Sequence, residues 1–180
     1  MTMWVFGYGS LLWNPGFPVA RREVAMLHGY ARSFCMTSIH HRGTEEHPGL
    51  VLALDEVAGA HCKGLALSVE AGHEEQTLAE LRERELISSA YVERDLEVEL
   101  ASGGTVKAVT YVIDPHHVQY CGGMPLEEQA RIISTAVGGR GPNTEYLYNT
   151  AEHLVEIGLG DPDLDWLTTR VRELTAAQTA

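Results

Sequence analysis

Two glycines, a tyrosine and a serine stand where the first apolar segment of the chain ends, in Gly7-Tyr8-Gly9-Ser10. Glycine lets the backbone approach a ligand closely and present several N–H groups at once. Such a group of donors binds a carboxylate or a developing oxyanion, and the two hydroxyls can orient it. The plain interpretation of the segment is a tight turn after a strand, and the sharper one is an anion pocket.

Two nucleotide-binding motifs are excluded at this segment. A dinucleotide fingerprint needs a third glycine at the offset where this chain has Leu12. A P-loop needs Gly-Lys followed by Ser or Thr, which is absent. The glycines alone name no reaction, because an acid or a base is needed as well.

A predicted helix over 74–88 supplies candidates for that acid or base. Most of its carboxylates fit a solvated face paired with Arg82 and Arg84. Glu85 differs because it lies near the helix end, where the helix dipole disfavours a negative charge. Burial there would raise its pKa, and a carboxyl poised near neutrality can accept and return a proton. Glu85 is therefore the candidate catalytic residue.

Strands dominate the first part of the chain and helices the later part. We predict strands at 3–6, at 20–37 (one or two, with a turn at Gly29), at 50–69 as a hairpin with Gly59 in its turn, at 93–100 and at 105–113. Helices are predicted at 74–88, 125–137, 144–158 and 161–177, with 138–143 as a loop. This order is not a regular strand-helix alternation. It predicts an α+β fold with a mostly antiparallel sheet or small barrel and helices packed outside. One domain is expected for 1–180, with a frayed tail from about 176.

Charge and cysteine content limit the partners and the compartment. The chain has 180 residues, 13 of them Lys or Arg and 25 Asp or Glu, for a net charge of −12. Such a surface repels nucleic acid and anionic membranes, so neither is an expected partner. No apolar stretch of ~18 residues and no signal peptide is recognised. The cysteines are odd in number and far apart, which fits a reducing cytoplasm: Cys35, Cys62 and Cys121. No metal is expected, because the histidine pairs at 40–41 and 116–117 lack a carboxylate at ligand spacing.

Four segments carry a family resemblance. They are, in order, VFGYGSLLWNPGF, HRGTEEHPGLVLAL, RELISSAY and GPNTEYLYNTAEHL. Together they resemble the ChaC family of γ-glutamylcyclotransferases, in particular its glutathione-directed branch, over about residues 3–155. The first and last segments are fairly specific, and the two together are much stronger evidence than either alone.

The resemblance implies a fold and a set of site residues. The fold would be a small mixed β-barrel flanked by helices, in agreement with the α+β prediction. The family's catalytic glutamate falls on Glu85 after Arg84; Glu83, which also follows an arginine, is the competing assignment, and spacing to Tyr91 favours Glu85. A late tyrosine, Tyr146, would offer a hydroxyl to the substrate. The strand-end loop would bind the γ-glutamyl group through Val5, Phe6, Gly7, Tyr8, Gly9, Ser10 and Leu11.

The reaction implied by the resemblance is an intramolecular aminolysis of glutathione that yields 5-oxoproline and cysteinylglycine. The attack is internal, so neither an enzyme nucleophile nor a metal or organic cofactor is required. The loop N–H groups would hold either the α-carboxylate or the oxyanion, and the sequence leaves both open. Other γ-glutamyl amino acids or amines are alternative substrates, and a non-catalytic binding protein of the same fold is a third interpretation. One departure, Ser88-Ser89-Ala90 where family members commonly carry glycines, bears on substrate preference.

Overall fold

Five strands close into a barrel in the computed structural model, which describes residues 2–86 and 89–179. The strand order around the barrel is β1-β3-β2-β4-β5. The strands are β1 (Trp4–Gly7), β2 (Val19–Ser38), β3 (Gly49–Val69), β4 (Tyr91–Leu100) and β5 (Thr105–Ile113). The predicted strands at 93–100 and 105–113 are confirmed as an antiparallel pair, in register from Tyr91–Ile113 to Glu99–Thr105.

The described residues also contain four helices, so the predicted α+β class is confirmed. They are α1 (Glu74–Glu85), α2 (Leu126–Thr135), α3 (Asn143–Glu156) and α4 (Pro162–Thr179). A two-stranded ribbon, β6 (Val137–Gly138) with β7 (Gly141–Pro142), joins α2 to α3. The predicted loop over 138–143 is therefore wrong in part, because Gly138 pairs with Gly141 and Asn143 begins α3.

The first strand is the most enclosed element of the barrel. It pairs antiparallel with β3, Trp4 opposite Ser68, and parallel with β5, Val5 opposite Val109. Val5 and Phe6 are fully buried, as an apolar run with a neighbour on each side requires. The loop that follows β1 therefore begins from a rigid position.

The second and third strands differ from the prediction. Residues 50–69 were expected to form a hairpin with its turn at Gly59, but β3 is one continuous strand, and β2 runs through Gly29 without turning back. Gly29 and Gly59 have φ of +87° and +83°. In a strand that must coil around a barrel, such a glycine makes a bend rather than a reversal.

The predicted helix over 74–88 ends earlier, at Glu85. Ile87 and Ser88, which the prediction placed in it, lie outside the described residues. The other three predicted helices are confirmed to within a few residues, with Pro125 directly before α2 rather than as its first residue. The last helix extends to Thr179.

The contacts divide the chain into two compact units. The first unit comprises 1–32 and 53–118 and includes β1, α1, β4 and β5; the second comprises 33–52 and 119–180. Within the second unit, α2, α3 and α4 pack on one another through buried Ile133, Leu147, Leu154, Leu164 and Leu167. A single domain over 1–180 stays a prediction. Among the described residues, no helix combines the length and apolar character needed to cross a membrane.

Candidate active site

The loop after β1 tightens at once into a single 3₁₀ turn, Ser10–Leu12. Its N–H groups at Leu12 and Asn14 donate to Gly9 O (2.9 Å) and Ser10 O (2.8 Å). Leu11 and Leu12 point inward and are buried, whereas Ser10 is exposed. The N–H groups that begin a helical turn have no acceptor inside it, and here they belong to Ser10 and Leu11. The turn can therefore offer backbone donors to an anion.

The two glycines of the loop have different surroundings. A Cβ on Gly7 would lie 3.3 Å from Leu11 Cβ, so this position needs a small residue for close packing. A Cβ on Gly9 would have nothing within 4 Å. The backbone at Gly9 thus borders open space, as a surface that receives a ligand must.

A buried arginine that was not predicted from the sequence binds the backbone of this loop. Arg32 on β2 donates Nε to Tyr8 O (2.8 Å) and Nη2 to Lys63 O (2.6 Å). The signal was present in the sequence, because Arg32 alternates with the apolar Tyr30 and Phe34, all of them buried. A charged residue on the inward face of a strand indicates a specific buried partner.

Helix α1 brings Glu85 to the same loop. Leu81 is buried in an apolar cluster with Val5, Leu11 and Tyr111, so the helix packs on the first strand and its loop. Glu85 lies one turn after Leu81 and therefore on the same face. Its side chain is 18% exposed, whereas Glu83 is exposed. Burial thus separates the two glutamates that competed in the sequence analysis and supports Glu85.

The pKa of Glu85 is raised, and burial is the main cause. The neighbouring Arg84 opposes this and lowers the pKa. A carboxyl with a raised pKa is a stronger base once ionised, and a larger fraction of it is protonated at neutral pH than for a surface glutamate. Glu85 can therefore both accept and return a proton.

A polar network beside Glu85 was also missed from the sequence. Arg82 binds Glu93 of β4 with two hydrogen bonds of 3.0 and 2.9 Å. The hydroxyl of Tyr111, a buried residue of β5, donates to Glu93 Oε1 at 2.8 Å. Burial, Glu93 and the charge of Glu85 all raise the pKa of Tyr111. Tyr111 therefore keeps its proton and directs it to Glu93.

Tyr146 lies on α3 in the second unit. Its hydroxyl accepts a hydrogen bond from Leu52 N at 3.1 Å. Its ring meets Phe34 edge-on, with centroids 6.0 Å apart, and the guanidinium of Arg42 lies 5.7 Å from its centroid. Asn143, one turn earlier, binds both backbone groups of Leu50. Its Oδ1 accepts a hydrogen bond from Leu50 N, and its Nδ2 donates one to Leu50 O. The role of Tyr146 toward a substrate stays a prediction.

No group of three or more His, Cys, Asp or Glu side chains among residues 2–86 and 89–179 is arranged to hold a metal ion. One of the paired histidines noted above, His117, has its Nε2 atom 3.0 Å from Ser89 Oγ.

Comparison with protein families gives a match over nearly the whole chain. The family model described as ChaC-like protein matches residues 3–174. A glutathione-specific gamma-glutamylcyclotransferase of Escherichia coli (strain K12) is 34% identical over 174 residues, which cover 97% of this chain and 74% of that protein. Gamma-glutamylcyclotransferase 2-1 of Arabidopsis thaliana is 39% identical over 164 residues, covering 87% of this chain and 76% of that protein.

The fold has a solved counterpart. The crystal structure of a yeast gamma-glutamyl cyclotransferase specific to glutathione superposes with a TM-score of 0.81, covering 97% of this chain and 100% of that one. The two sequences are 22% identical, so this likeness speaks to the fold. The barrel type that the family resemblance implied is thereby confirmed.

Proposed function

The chain belongs to the ChaC-like protein family, and we propose that it is a γ-glutamylcyclotransferase that converts glutathione into 5-oxoproline and cysteinylglycine. The observation that carries the proposal is the position of Glu85: a buried carboxyl with a raised pKa, on a helix end that Arg84 ties to the glycine loop at Ser10 by a 2.8 Å hydrogen bond. The names of the matched relatives point to the same reaction.

The chemistry balances within the substrate. The α-amine of the γ-glutamyl group attacks its own γ-carbonyl carbon, which forms the C–N bond of a five-membered lactam. The original amide C–N bond then breaks. The attacking nitrogen goes from ammonium to lactam N–H and loses two protons, one before the attack and one as the lactam forms, and the leaving nitrogen goes from amide N–H to ammonium and gains two. Because all atoms come from one molecule, no nucleophile, metal or organic cofactor takes part in the proposed reaction.

Glu85 moves the proton between the two nitrogens. As a carboxylate it takes a proton from the substrate ammonium, which cannot attack while protonated. As a carboxylic acid it returns the proton to the departing amine. General acid–base catalysis of this kind is typically worth ~10²–10⁴-fold, and holding the chain in a ring-closing shape adds to this.

The loop binds the charged end of the substrate. The backbone donors at Ser10 and Leu11 face the α-carboxylate or the oxyanion of the tetrahedral intermediate. The Ser10 hydroxyl accepts its hydrogen bond from Arg84 Nη2, which leaves its own proton to donate outward. Arg32, by holding Tyr8 O, keeps the loop in the conformation that presents these donors.

Activity on other γ-glutamyl compounds is the second candidate. The Arabidopsis relative with 39% identity is named for the cyclotransferase reaction without restriction to glutathione. A comparison of kcat/KM for glutathione and γ-glutamyl-alanine separates the two. A large preference for glutathione supports the first proposal, and equal values support the broader activity.

The test of the reaction itself is product stoichiometry. Purified protein incubated with glutathione is expected to release cysteinylglycine and 5-oxoproline in equal amounts. Release of cysteinylglycine with glutamate instead would show hydrolysis, and no release would refute the proposal. We further propose that the reaction takes place in the cytoplasm, where glutathione is kept reduced. In the part of the chain that the structure describes, Cys35, Cys62 and Cys121 are in no disulfide, which supports this compartment.

A further inference from the structure

We propose that Arg84 is a positioning residue that fastens the end of α1 to the substrate loop and thereby sets both the place and the charge of Glu85. The proposal rests on the proposed function, because it assigns Arg84 a part in the same reaction. It is carried by the geometry of one guanidinium group.

Each of the three nitrogens of the Arg84 guanidinium lies against a different group of the site. Nη2 donates to Ser10 Oγ at 2.8 Å and Nη1 donates to Asn14 O at 3.0 Å. Nε lies 3.6 Å from Glu85 Oε1. Because the guanidinium is planar and rigid, fixing two of its nitrogens on the loop also fixes the third beside the carboxylate.

The loop also contacts this side chain at Gly16. A turn at Gly16, with φ of +76°, brings the backbone round, so that a Cβ there would lie 3.5 Å from Arg84 Nη1. Arg84 also lines a cleft of about 90 Å³ together with Phe17 and Leu81. The Arg84 side chain is 34% exposed and that of Glu85 18%. The pair is thus partly withdrawn from water, where a charge acts more strongly than on an open surface.

Arg84 is the cation that opposes the burial of Glu85. The titratable groups around Glu85 are Arg84 on its own helix and Tyr111 on β5. Tyr111 donates a hydrogen bond to Glu93, whose charge Arg82 balances. Loss of Arg84 therefore leaves Glu85 in a buried place with less compensation, and its pKa is expected to rise further.

The test compares Arg84→Gln with Arg84→Lys. The glutamine variant removes the charge, whereas lysine keeps a charge but cannot hold two loop acceptors in one plane. Arg22→Gln is the control, because Arg22 is an exposed arginine of β2 and the same net charge is lost. Thermal unfolding shows whether each variant is folded.

For Arg84→Gln we expect kcat/KM for glutathione to fall about tenfold or more, and its acid limb to move to higher pH. For Arg84→Lys the acid limb stays near that of the wild type while KM rises. Arg22→Gln behaves as the wild type. A glutamine variant with an unshifted limb, or a lysine variant with unchanged KM, would overturn the positioning role.

A second measurement does not depend on turnover. The Glu85 carboxyl is titrated by carbon-13 NMR, its signal identified by its absence in Glu85→Gln. We expect the pKa of Glu85 to be higher in Arg84→Gln than in the wild type, and equal values overturn the inference. If the wild type releases no cysteinylglycine while this pKa does move, the proposed function fails and the coupling of Arg84 to Glu85 stands.

Discussion

Two glutamates, one at the end of α1 and one beside that helix, have opposite pKa shifts, although the exposed fractions of their side chains are similar. The side chain of Glu93 on β4 is 23% exposed and that of Glu85 at the end of α1 is 18% exposed. Each has an arginine of α1 as its neighbour. Yet the pKa of Glu93 is lowered, mainly by its hydrogen bonds from Arg82, and the pKa of Glu85 is raised by burial.

Hydrogen bonds to Glu93 and the stronger desolvation of Glu85 together cause the difference. Glu93 accepts two hydrogen bonds from the Arg82 guanidinium at 2.9–3.0 Å and one from the Tyr111 hydroxyl at 2.8 Å. Arg84 instead donates hydrogen bonds to the loop, and its Nε stays 3.6 Å from Glu85 Oε1. A carboxylate held by several strong donors has little tendency to take up a proton. The Glu93 network is therefore structural, and the Glu85 region is suited to proton transfer.

Replacing Glu85 gives the largest expected effect. Glu85→Gln keeps the size of the side chain but cannot carry a proton, so kcat with glutathione is expected to fall about 10²–10⁴-fold without loss of folding. The matched control is Glu83→Gln, two residues away and exposed. Loss of turnover in the control instead would reverse the assignment of the catalytic glutamate.

Replacing Glu93 is expected to act on stability. Glu93→Ala leaves the buried Tyr111 hydroxyl without its acceptor, which costs about 2 kcal/mol in the free energy of unfolding. The partly exposed ion pair with Arg82 adds little. Urea unfolding measures the change, with Glu97→Ala on the exposed face of β4 as the control. A drop in kcat as large as that of Glu85→Gln would break the distinction between the two regions.

Glu85 and Glu93 should have opposite effects on how the stability of the folded protein changes with pH. With a raised pKa in the folded protein, Glu85 lowers stability as the pH rises from its unfolded pKa through its folded pKa. With a lowered pKa, Glu93 contributes stability above its unfolded pKa, which is lost as the pH falls through its folded pKa.

The measurement is the melting temperature of two variants against the wild type. At neutral pH, Glu85→Gln is expected to melt at or above the wild-type temperature and Glu93→Gln below it. The two differences should shrink as the pH falls below the ordinary glutamate pKa of about 4.3. A Glu85→Gln variant that is less stable than the wild type at neutral pH would contradict the raised pKa.

Tyr111→Phe gives the smallest effect. It removes one hydrogen bond to Glu93 but keeps the ring in its apolar cluster, so a loss of about 1 kcal/mol or less is expected. Turnover with glutathione should change by no more than a few-fold, because Glu93 and Arg82 still pair. A large fall in kcat would mean that the phenol itself touches the reacting groups.

The strands and helices that were predicted correctly are those whose sequence signals lie within a few residues of one another. The first strand, the β4–β5 pair and the later helices follow from apolar pattern and turn residues within a few positions. Gly29 and Gly59 misled the prediction, because a glycine with positive φ can end a strand or bend it. Only the curvature of a closed barrel decides between these two outcomes.

In the candidate site, too, residues with a local sequence signal could be predicted, and contacts between residues far apart in the sequence could not. Glu85 could be proposed from its place at a helix end, and the loop from its glycines. The partners of Arg32 and Arg84 could not be assigned, since Tyr8 and Ser10 are 24 and 74 residues away in the sequence. Glu93 and Tyr111 each look like an ordinary strand residue until the two strands are paired. Contacts of this kind exist only in the folded chain.

If Glu85 is the group that exchanges the proton, its own titration must match the pH dependence of turnover. The pKa of the Glu85 carboxyl, measured by carbon-13 NMR in the wild type, is compared with the acid limb of kcat/KM for glutathione. We predict one common value above the ordinary glutamate pKa of about 4.3, because burial disfavours the charged form. A carboxyl that titrates at or below that ordinary value, or a kinetic limb with a different pKa, would contradict the account.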